Sequence, residues 1–407
     1  MKFIPRNTLN LLAIAIASSF AYANPLDNWM SDLITTGEVV GCMAEITIDG
    51  EVVYSNAIGK RSPQEADPLS TNQIIRIFSM TKPIVSVGLM QLVEEKKIRL
   101  DDTVSKYIPE FAHTKVYKDG DLLSPRREIT IRDLLRHTSG LAYAFTAPPQ
   151  LIEQYATALD HVKTLEEAAK KIASLPLLAD PGTEFIYGYS SDVIGRLIEV
   201  VSGKTLDIYL RENIFDPLGM GETTFTPKKN LKHMPLLKHG ENGIEIDDEY
   251  YAFGPGTMAN PIFYSGGGGL WSTIHDYTLF AIALERGGEL NGKRILEQET
   301  ITFMTQNQLD PGIDSSKDPM VNRFGLGFNI DSAIETNSGA LGEGRWGWCG
   351  IASTFFFIDS TQDITAVFGT QLFPEDVFTY MDMYESFHQA ALEYVHQIKS
   401  DAVQKSE

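Results

Sequence analysis

The sequence predicts an α+β fold in which an antiparallel sheet, built from both termini and flanked by helices, holds an inserted, mainly helical domain. Two observations indicate this arrangement. β-rich segments lie near both ends of the chain, and apolar residues at helical spacing dominate the segment between them. We expect a discontinuous α/β domain over residues 24–115 and 265–400, and a mainly helical domain over residues 116–264. Functional sites are common at such domain boundaries.

A β-hairpin is the first strong pattern. Residues 44–48 alternate apolar and polar side chains, Asp49 and Gly50 favour a tight turn, and residues 51–56 return as the partner strand. This hairpin supplies the N-terminal strands of the predicted sheet.

The second hairpin lies near the other end of the chain. Residues 353–358 and 364–368 are β-rich runs joined by a short polar turn. A helix should follow, because residues 377–395 form one apolar stripe over five turns. These elements supply the C-terminal part of the predicted sheet and its covering helix.

Two further segments have helical patterns. Apolar side chains between residues 84 and 93 lie on nearly every face, which predicts a helix that is buried all round. Residues 194–201 have the spacing of a helix with one apolar face, and Gly203 is a suitable stop.

The composition is that of a globular, acidic protein. The 407 residues include 54 Asp and Glu against 34 Lys and Arg, a net charge of −20, and 43% are hydrophobic. Nucleic acids and anionic membranes bind basic surfaces, so both are disfavoured as partners. The composition does not indicate the oligomeric state.

The N-terminus has the pattern of a signal peptide over residues 1–23. A basic start precedes an apolar stretch at residues 11–17, and Ala21 and Ala23 supply the small residues of an A-x-A cleavage site. Cleavage after Ala23 would leave a periplasmic or secreted protein without a membrane anchor. An uncleaved membrane anchor is the alternative.

The strongest catalytic pattern is Ser79 followed by Lys82 at the start of the predicted buried helix. At i and i+3 the two side chains share one helical face. Burial and the helix N-terminus both disfavour an ammonium there, and a lysine with a lowered pKa can accept the proton of a serine nucleophile. The same helix start can offer the Ser79 N–H to a developing oxyanion.

Other kinds of site have little support in the sequence. It contains no G-x-S-x-G elbow, no H-E-x-x-H motif and no P-loop, and its eight histidines are scattered. No cofactor and no metal are therefore expected.

Several motifs together resemble the serine β-lactamase-like family. This family includes class C β-lactamases, some penicillin-binding proteins and the family VIII carboxylesterases, and the esterase branch fits best. The resemblance spans roughly residues 30–395, and its motifs are IRIFSMTKP at 75–83, ITIRDLLRHTSGL at 129–141, PGT at 181–183, PLGM at 217–220 and four glycines at 266–269. It implies a β-lactamase/transpeptidase-like fold and an acyl-enzyme on Ser79.

The resemblance also implies roles for two tyrosines. Tyr187 matches the tyrosine that serves with the lysine as general base and acid, and Tyr189 replaces the asparagine of the lactamases. Tyr189 is the alternative catalytic tyrosine if the register differs by two. Tyr143, after the HTSGL motif, is a candidate for the acyl pocket or a packing residue. His137 is expected to be structural.

The third motif of the family matches Trp348, Cys349 and Gly350, where the lactamases have Lys-Thr-Gly. Trp348 and Gly350 then bind substrate together with Tyr189 and Tyr143, and Ile351 gives the second oxyanion N–H beside that of Ser79. A register that begins at Trp346 competes with this one.

Cys349 departs from both branches of the family. We expect a small packing residue in the strand. The alternatives are a regulatory thiol and a disulfide with Cys42.

The sequence therefore predicts a serine hydrolase that cleaves short-chain carboxylic esters. Trp348 supplies no charge for the carboxylate of a penicillin, and the protein is acidic, so a neutral ester fits better. A β-lactamase, amidase or D-amino-acid peptidase activity, or a penicillin-binding protein with slow turnover, are the alternatives. In each case the partner is a small-molecule ester or amide.

Overall fold

The computed structural model describes residues 24–227, 233–247, 263–314, 321, 323–330, 334–336, 339–341 and 344–404. The predicted signal peptide lies outside the described residues. None of the helices within these ranges combines the length and the apolar character needed to cross a membrane.

The strands form one large sheet and several short pairs. In chain order they are β1 (Gly41–Ile48), β2 (Glu51–Gly59), β3 (Ile75–Arg76), β4 (Val116–Lys118), β5 (Asp121–Leu123), β6 (Leu237–Gly240), β7 (Gly243–Ile246), β8 (Trp271–Ser272), β9 (Glu289–Leu290), β10 (Lys293–Arg294), β11 (Asn329–Ile330), β12 (Ile334–Thr336), β13 (Gly339–Leu341), β14 (Arg345–Gly350), β15 (Thr354–Asp359) and β16 (Ile364–Gly369).

The helices surround the large sheet and fill the middle of the chain. They are α1 (Pro25–Thr35), α2 (Thr81–Glu94), α3 (Ile131–Leu135), α4 (Ile152–Ala156), α5 (Leu165–Ala173), α6 (Ser190–Ser202), α7 (Leu206–Leu210), α8 (Asp216–Leu218), α9 (Ile274–Glu285), α10 (Gln298–Met304) and α11 (Val377–Gln404).

The central sheet has six strands in the order β11-β14-β15-β16-β1-β2, and all its pairings are antiparallel. The N-terminal hairpin joins the C-terminal strands through β1 and β16, where Ala44 pairs with Phe368. The sheet is therefore built from both ends of the chain, as the sequence predicts. The α+β class is confirmed.

Both predicted hairpins are present. Asp49 and Gly50 join β1 to β2 with φ angles of 50° and 66°, the left-handed pair that a two-residue turn between twisted strands requires. The second hairpin joins β15 to β16 with Ile358 opposite Thr365.

Successive side chains of β15 point to opposite faces of the sheet, and a helix packs on each face. Phe356 packs against Tyr277 of α9, with ring centroids 4.9 Å apart. The flanking Phe355 and Phe357 point the other way, where Phe355 lies 5.1 Å from Tyr380 and Phe357 lies 5.8 Å from Phe387 of α11. The core thus consists of two apolar layers, one on each face of the sheet.

Helix α2 is buried all round, as predicted, since every side chain from Thr81 to Leu92 is buried. It packs against α6, which ends at Gly203 in the left-handed conformation (φ 72°). The middle segment contains α3 to α8, together with the β4–β5 and β6–β7 hairpins. The division at residues 115 and 265 stays a prediction.

The alternative of a Cys42–Cys349 disulfide is wrong. Cys42 lies on β1 and Cys349 on β14, and β15 and β16 separate them in the sheet. Three strand spacings are about 14 Å, whereas a disulfide needs Cα atoms within about 7 Å. Both thiols are buried and neither forms a disulfide bond.

Candidate active site

Ser79 lies in a single 3-10 turn, Phe78–Met80, directly before α2. Phe78 has a φ of 42°, a left-handed conformation that is strained for a bulky residue. The turn places the Ser79 hydroxyl one helical turn before Lys82, on the same side of the helix.

Lys82 is the most unusual residue of the site, because its side chain is only 2% exposed. The Lys82 Nζ donates hydrogen bonds to the Ser79 Oγ at 2.9 Å and to the Gly267 carbonyl oxygen at 2.6 Å. Burial lowers the pKa of Lys82 to about 7, partly offset by the negative charge of Asp192. A large fraction of Lys82 is therefore uncharged at neutral pH.

Asp192 lies behind Lys82 on α6 and is a site residue that the sequence reasoning missed. Its Oδ1 accepts hydrogen bonds from the Ser265 hydroxyl at 2.6 Å and from the Gly267 N–H at 3.2 Å. Burial raises the pKa of Asp192. Gly267 thus connects the two ionisable groups, since its N–H donates to Asp192 and its carbonyl oxygen accepts from Lys82.

The glycine run at 266–269 has a steric explanation. A Cβ added at Gly266 would lie 2.3 Å from the Ser191 carbonyl oxygen, and one at Gly267 would lie 2.6 Å from the Asp192 Oδ2. Side chains at these positions would push this segment away from α6 and from Lys82.

The structure brings Tyr187, rather than Tyr189, to Lys82. The Lys82 Nζ lies 4.6 Å from the centroid of the Tyr187 ring. The Tyr189 hydroxyl instead donates to the Tyr155 carbonyl oxygen at 3.1 Å, and the two rings stack. Tyr189 is therefore a buried packing residue in this geometry, and its predicted contact with substrate would have to come from its ring.

Tyr143 and Trp348 complete an aromatic wall around Tyr187. Their ring centroids lie 5.5 Å and 5.4 Å from that of Tyr187. The Lys82 Nζ is 5.3 Å from the Tyr143 ring. Trp348 is only 5% exposed, and its indole N–H has no hydrogen-bond partner among the described residues.

The end of β14 lies against the turn that carries Ser79. A Cβ added at Gly350 would lie 2.3 Å from the Ile77 carbonyl oxygen, so the third-motif glycine permits the close approach. Ile351 follows directly and is 39% exposed. β14 is not the outermost strand, because β11 pairs with it at Gly347 and Trp346. Residues 348–350 lie beyond that pairing.

Cys349 lies between Trp348 and Gly350 on β14, and its thiol also contributes to the electrostatic surroundings of Lys82. It interacts with Tyr380 of α11, whose hydroxyl donates to the Gly350 carbonyl oxygen at 3.1 Å. The thiol is buried, which fits the expectation of a packing residue.

His137 packs beneath Tyr187, with ring centroids 4.9 Å apart. Burial, with a smaller contribution from the Lys82 charge, lowers the pKa of His137 to about 3. The imidazole is therefore neutral at physiological pH. It contributes shape rather than charge to the site.

The arrangement can perform nucleophilic catalysis. It contains a hydroxyl, an amine with a pKa near neutrality and a phenol, and backbone N–H groups at a helix start and a strand end. The described residues contain no group of three or more His, Cys, Asp or Glu side chains able to hold a metal ion.

Known proteins resemble the chain over most of its length. Protein Rv1367c of Mycobacterium tuberculosis is 27% identical over 363 residues, covering 84% of this chain and 88% of the relative. Lovastatin esterase of Penicillium rubens is 27% identical over 391 residues, covering 89% of this chain and 96% of the relative.

The solved structure of EstCE1, described as a hydrolase with promiscuous acyltransferase activity, has the same fold. It is 25% identical with a TM-score of 0.75, and the match covers 90% of this chain and 97% of EstCE1. The β-lactamase/transpeptidase-like fold implied by the sequence is confirmed. The family model described as Beta-lactamase matches residues 26–389. The chain therefore belongs to the beta-lactamase family of serine hydrolases, which includes esterases and acyltransferases.

Proposed function

We propose that this protein is a serine esterase that forms an acyl-enzyme on Ser79 and releases the acid with water. The main support for the proposal is that the Lys82 amine is buried and lies 2.9 Å from the Ser79 Oγ. A lysine with a pKa of about 7 can accept the serine proton at neutral pH, which an ordinary lysine cannot.

Acylation follows from this pair. Neutral Lys82 takes the Ser79 proton while the Oγ attacks the ester carbonyl, and the carbonyl oxygen becomes an oxyanion. Tyr187, beside Lys82, passes the proton to the departing alkoxide, which leaves as the alcohol. Water then attacks the acyl carbon and gives a proton to neutral Lys82, the bond from that carbon to the Ser79 Oγ breaks, and the proton passes to the Oγ as the acid leaves. No cofactor and no metal enter these steps.

The oxyanion is assigned to the backbone N–H groups of Ser79 and Ile351. Ser79 lies at the start of α2. The close approach of Gly350 to Ile77 brings the end of β14, and with it the Ile351 N–H, to the turn that contains Ser79. Fixed N–H donors stabilise the charge that develops in the transition state more than the neutral carbonyl.

Trp348 supports a neutral ester as substrate. Its buried indole adds one N–H donor and no positive charge beside Tyr187. The net charge of −20 adds long-range repulsion of anions. Gly350, Tyr143 and the ring of Tyr189 are assigned to the walls of the substrate site. Activities on β-lactams, amides or D-amino-acid peptides are the alternatives, and nitrocefin and a labelled penicillin test the first of these.

Replacing the nucleophile tests the proposal first. Ser79→Ala should lower the kcat for p-nitrophenyl butyrate by at least about a thousandfold and leave the fold intact. A fluorophosphonate probe followed by peptide mass spectrometry should locate the adduct on Ser79. Ser86→Ala, on the same helix, is the control and should keep the Ser79 adduct. An adduct on a different serine contradicts the assignment.

Substrate charge is tested with two esters that share one leaving group. The kcat/KM for p-nitrophenyl butyrate should exceed that for the anionic p-nitrophenyl hydrogen succinate by about tenfold to a hundredfold, the value of one missing charge-assisted contact. Nitrocefin should be the poorer substrate as well. Faster turnover of nitrocefin would make the protein a β-lactamase, and stable acylation by a labelled penicillin would make it a penicillin-binding protein.

The pH dependence tests Lys82 as the base. Activity should rise with pH as Lys82 loses its proton, so kcat/KM should have an acid limb near pH 7. Asp192→Asn removes the charge that raises the pKa of Lys82 and keeps an acceptor for Ser265. The acid limb should therefore move to lower pH.

The control for that shift is Asp276→Asn. This second buried carboxylate accepts hydrogen bonds from the Glu222 N–H and the Thr223 hydroxyl, so its loss should leave the acid limb in place. An acid limb that moves to higher pH in Asp192→Asn, or does not move, contradicts the proposed role of Lys82.

Export is proposed from the N-terminal pattern. The A-x-A site predicts that the mature protein begins at Asn24 and is found in the periplasm or the medium. N-terminal sequencing of protein from an osmotic-shock fraction tests this. Intact Met1 on the folded protein would favour the uncleaved anchor instead.

A further inference from the structure

Phe145 is a large apolar side chain exposed beside the candidate active site. It lies in the middle of a short 3-10 turn, Ala144–Thr146, and is 68% exposed. Its ring stacks on that of Tyr143 with centroids 5.3 Å apart and an interplanar angle of 28°. The exposed ring leaves apolar area in contact with water, and it lies beside Tyr143 and Tyr187 of the candidate site.

The turn that carries Phe145 is fixed to the catalytic region. The Thr146 hydroxyl donates to the Tyr187 carbonyl oxygen at 3.0 Å and accepts from the Tyr143 N–H at 2.9 Å. The Phe145 ring is also 6.4 Å from the Tyr187 ring. Phe145 therefore holds a defined position relative to Tyr187.

The position of Phe145 indicates which half of an ester it can contact. Under the proposed function the leaving oxygen must approach Lys82 and Tyr187 to receive a proton. Both the Tyr187 and the Tyr143 rings lie close to the Lys82 Nζ, at 4.6 and 5.3 Å. Phe145 contacts both of these rings, at 6.4 Å and 5.3 Å, so an alcohol group whose oxygen lies at Lys82 and Tyr187 can reach it.

We propose that Phe145, with Tyr143 behind it, forms a binding surface for the alcohol part of the ester, rather than for the acyl part that the sequence suggests for Tyr143, and selects planar aromatic alcohols. The inference rests on the proposed acyl-enzyme mechanism and adds a subsite to it. Offset stacking on a fixed ring stabilises the bound alcohol beyond what the buried apolar area contributes, and it requires no charge on the substrate. The substrate class is therefore a short-chain acyl ester of a benzyl-type alcohol.

The same surface should also bind an alcohol that accepts the acyl group from the acyl-enzyme. An alcohol bound on Phe145 can attack the acyl-enzyme in place of water. Its O–H proton passes to Lys82, a new C–O bond forms, the bond from the acyl carbon to the Ser79 Oγ breaks, and the Oγ regains a proton. A benzyl-type alcohol should therefore capture the acyl group more efficiently than an aliphatic one.

The first test measures selectivity for the alcohol. The ratio of kcat/KM for benzyl butyrate over ethyl butyrate, two esters of similarly basic alcohols, should fall about tenfold in Phe145→Ala. Phe145→Trp should restore it. Leu122→Ala removes another exposed apolar side chain, 57% exposed on β5, and should leave the ratio at the wild-type value.

The second test uses p-nitrophenyl butyrate as a common donor, so that every variant forms the same acyl-enzyme. The yield of benzyl butyrate relative to butyrate, at a fixed concentration of benzyl alcohol, should fall in Phe145→Ala by a similar factor. The yield with ethanol provides the reference for each variant.

Two outcomes overturn the subsite. An equal loss on both esters makes Phe145 a structural residue. If Phe145→Ala changes only the ratio of kcat/KM for ethyl phenylacetate over ethyl butyrate, two esters that differ in the acyl group, Phe145 belongs to the acyl side. Failure of the proposed function is different, because wild-type protein would then hydrolyse no ester or would react at a serine other than Ser79.

Discussion

The burial of the Lys82 amine beside Ser79 is the constraint that the surrounding residues satisfy. An ammonium removed from water is unstable unless its hydrogen bonds are replaced, and here the Gly267 carbonyl oxygen and the Ser79 hydroxyl replace two of them. Asp192 accepts a hydrogen bond from the Gly267 N–H and limits how far the pKa of Lys82 falls. The balance between burial and this carboxylate keeps the pKa near neutrality, where a base is useful.

Much of the fold could be predicted from local patterns. The Asp49-Gly50 turn between alternating segments specifies the β1–β2 hairpin, and the absence of a polar face specifies a buried α2. Ser79 and Lys82 can be recognised from the sequence because both belong to one short motif in such a helix. These features are local, so a single sequence contains the information that determines them.

Features that depend on distant segments could not be predicted in the same way. Asp192 was missed, because a carboxylate in the first turn of a helix is usually a solvated residue that favours the helix dipole. Tyr187 and Tyr189 are two residues apart, and only the folded chain shows that the Tyr187 ring lies beside Lys82 while the Tyr189 hydroxyl bonds the Tyr155 carbonyl oxygen. The order of strands in the sheet separates Cys42 from Cys349, which their sequence positions do not reveal.

Catalysis by this site requires Lys82 to be largely uncharged at neutral pH, and the titration of Lys82 itself measures this. The 13Cε resonances of selectively labelled lysines can be followed against pH by NMR, with Lys82→Arg identifying the signal of Lys82. We expect a midpoint at about pH 7 for Lys82. A midpoint near 10.5, the ordinary value for a lysine, would mean that the amine stays protonated at neutral pH and cannot act as the base.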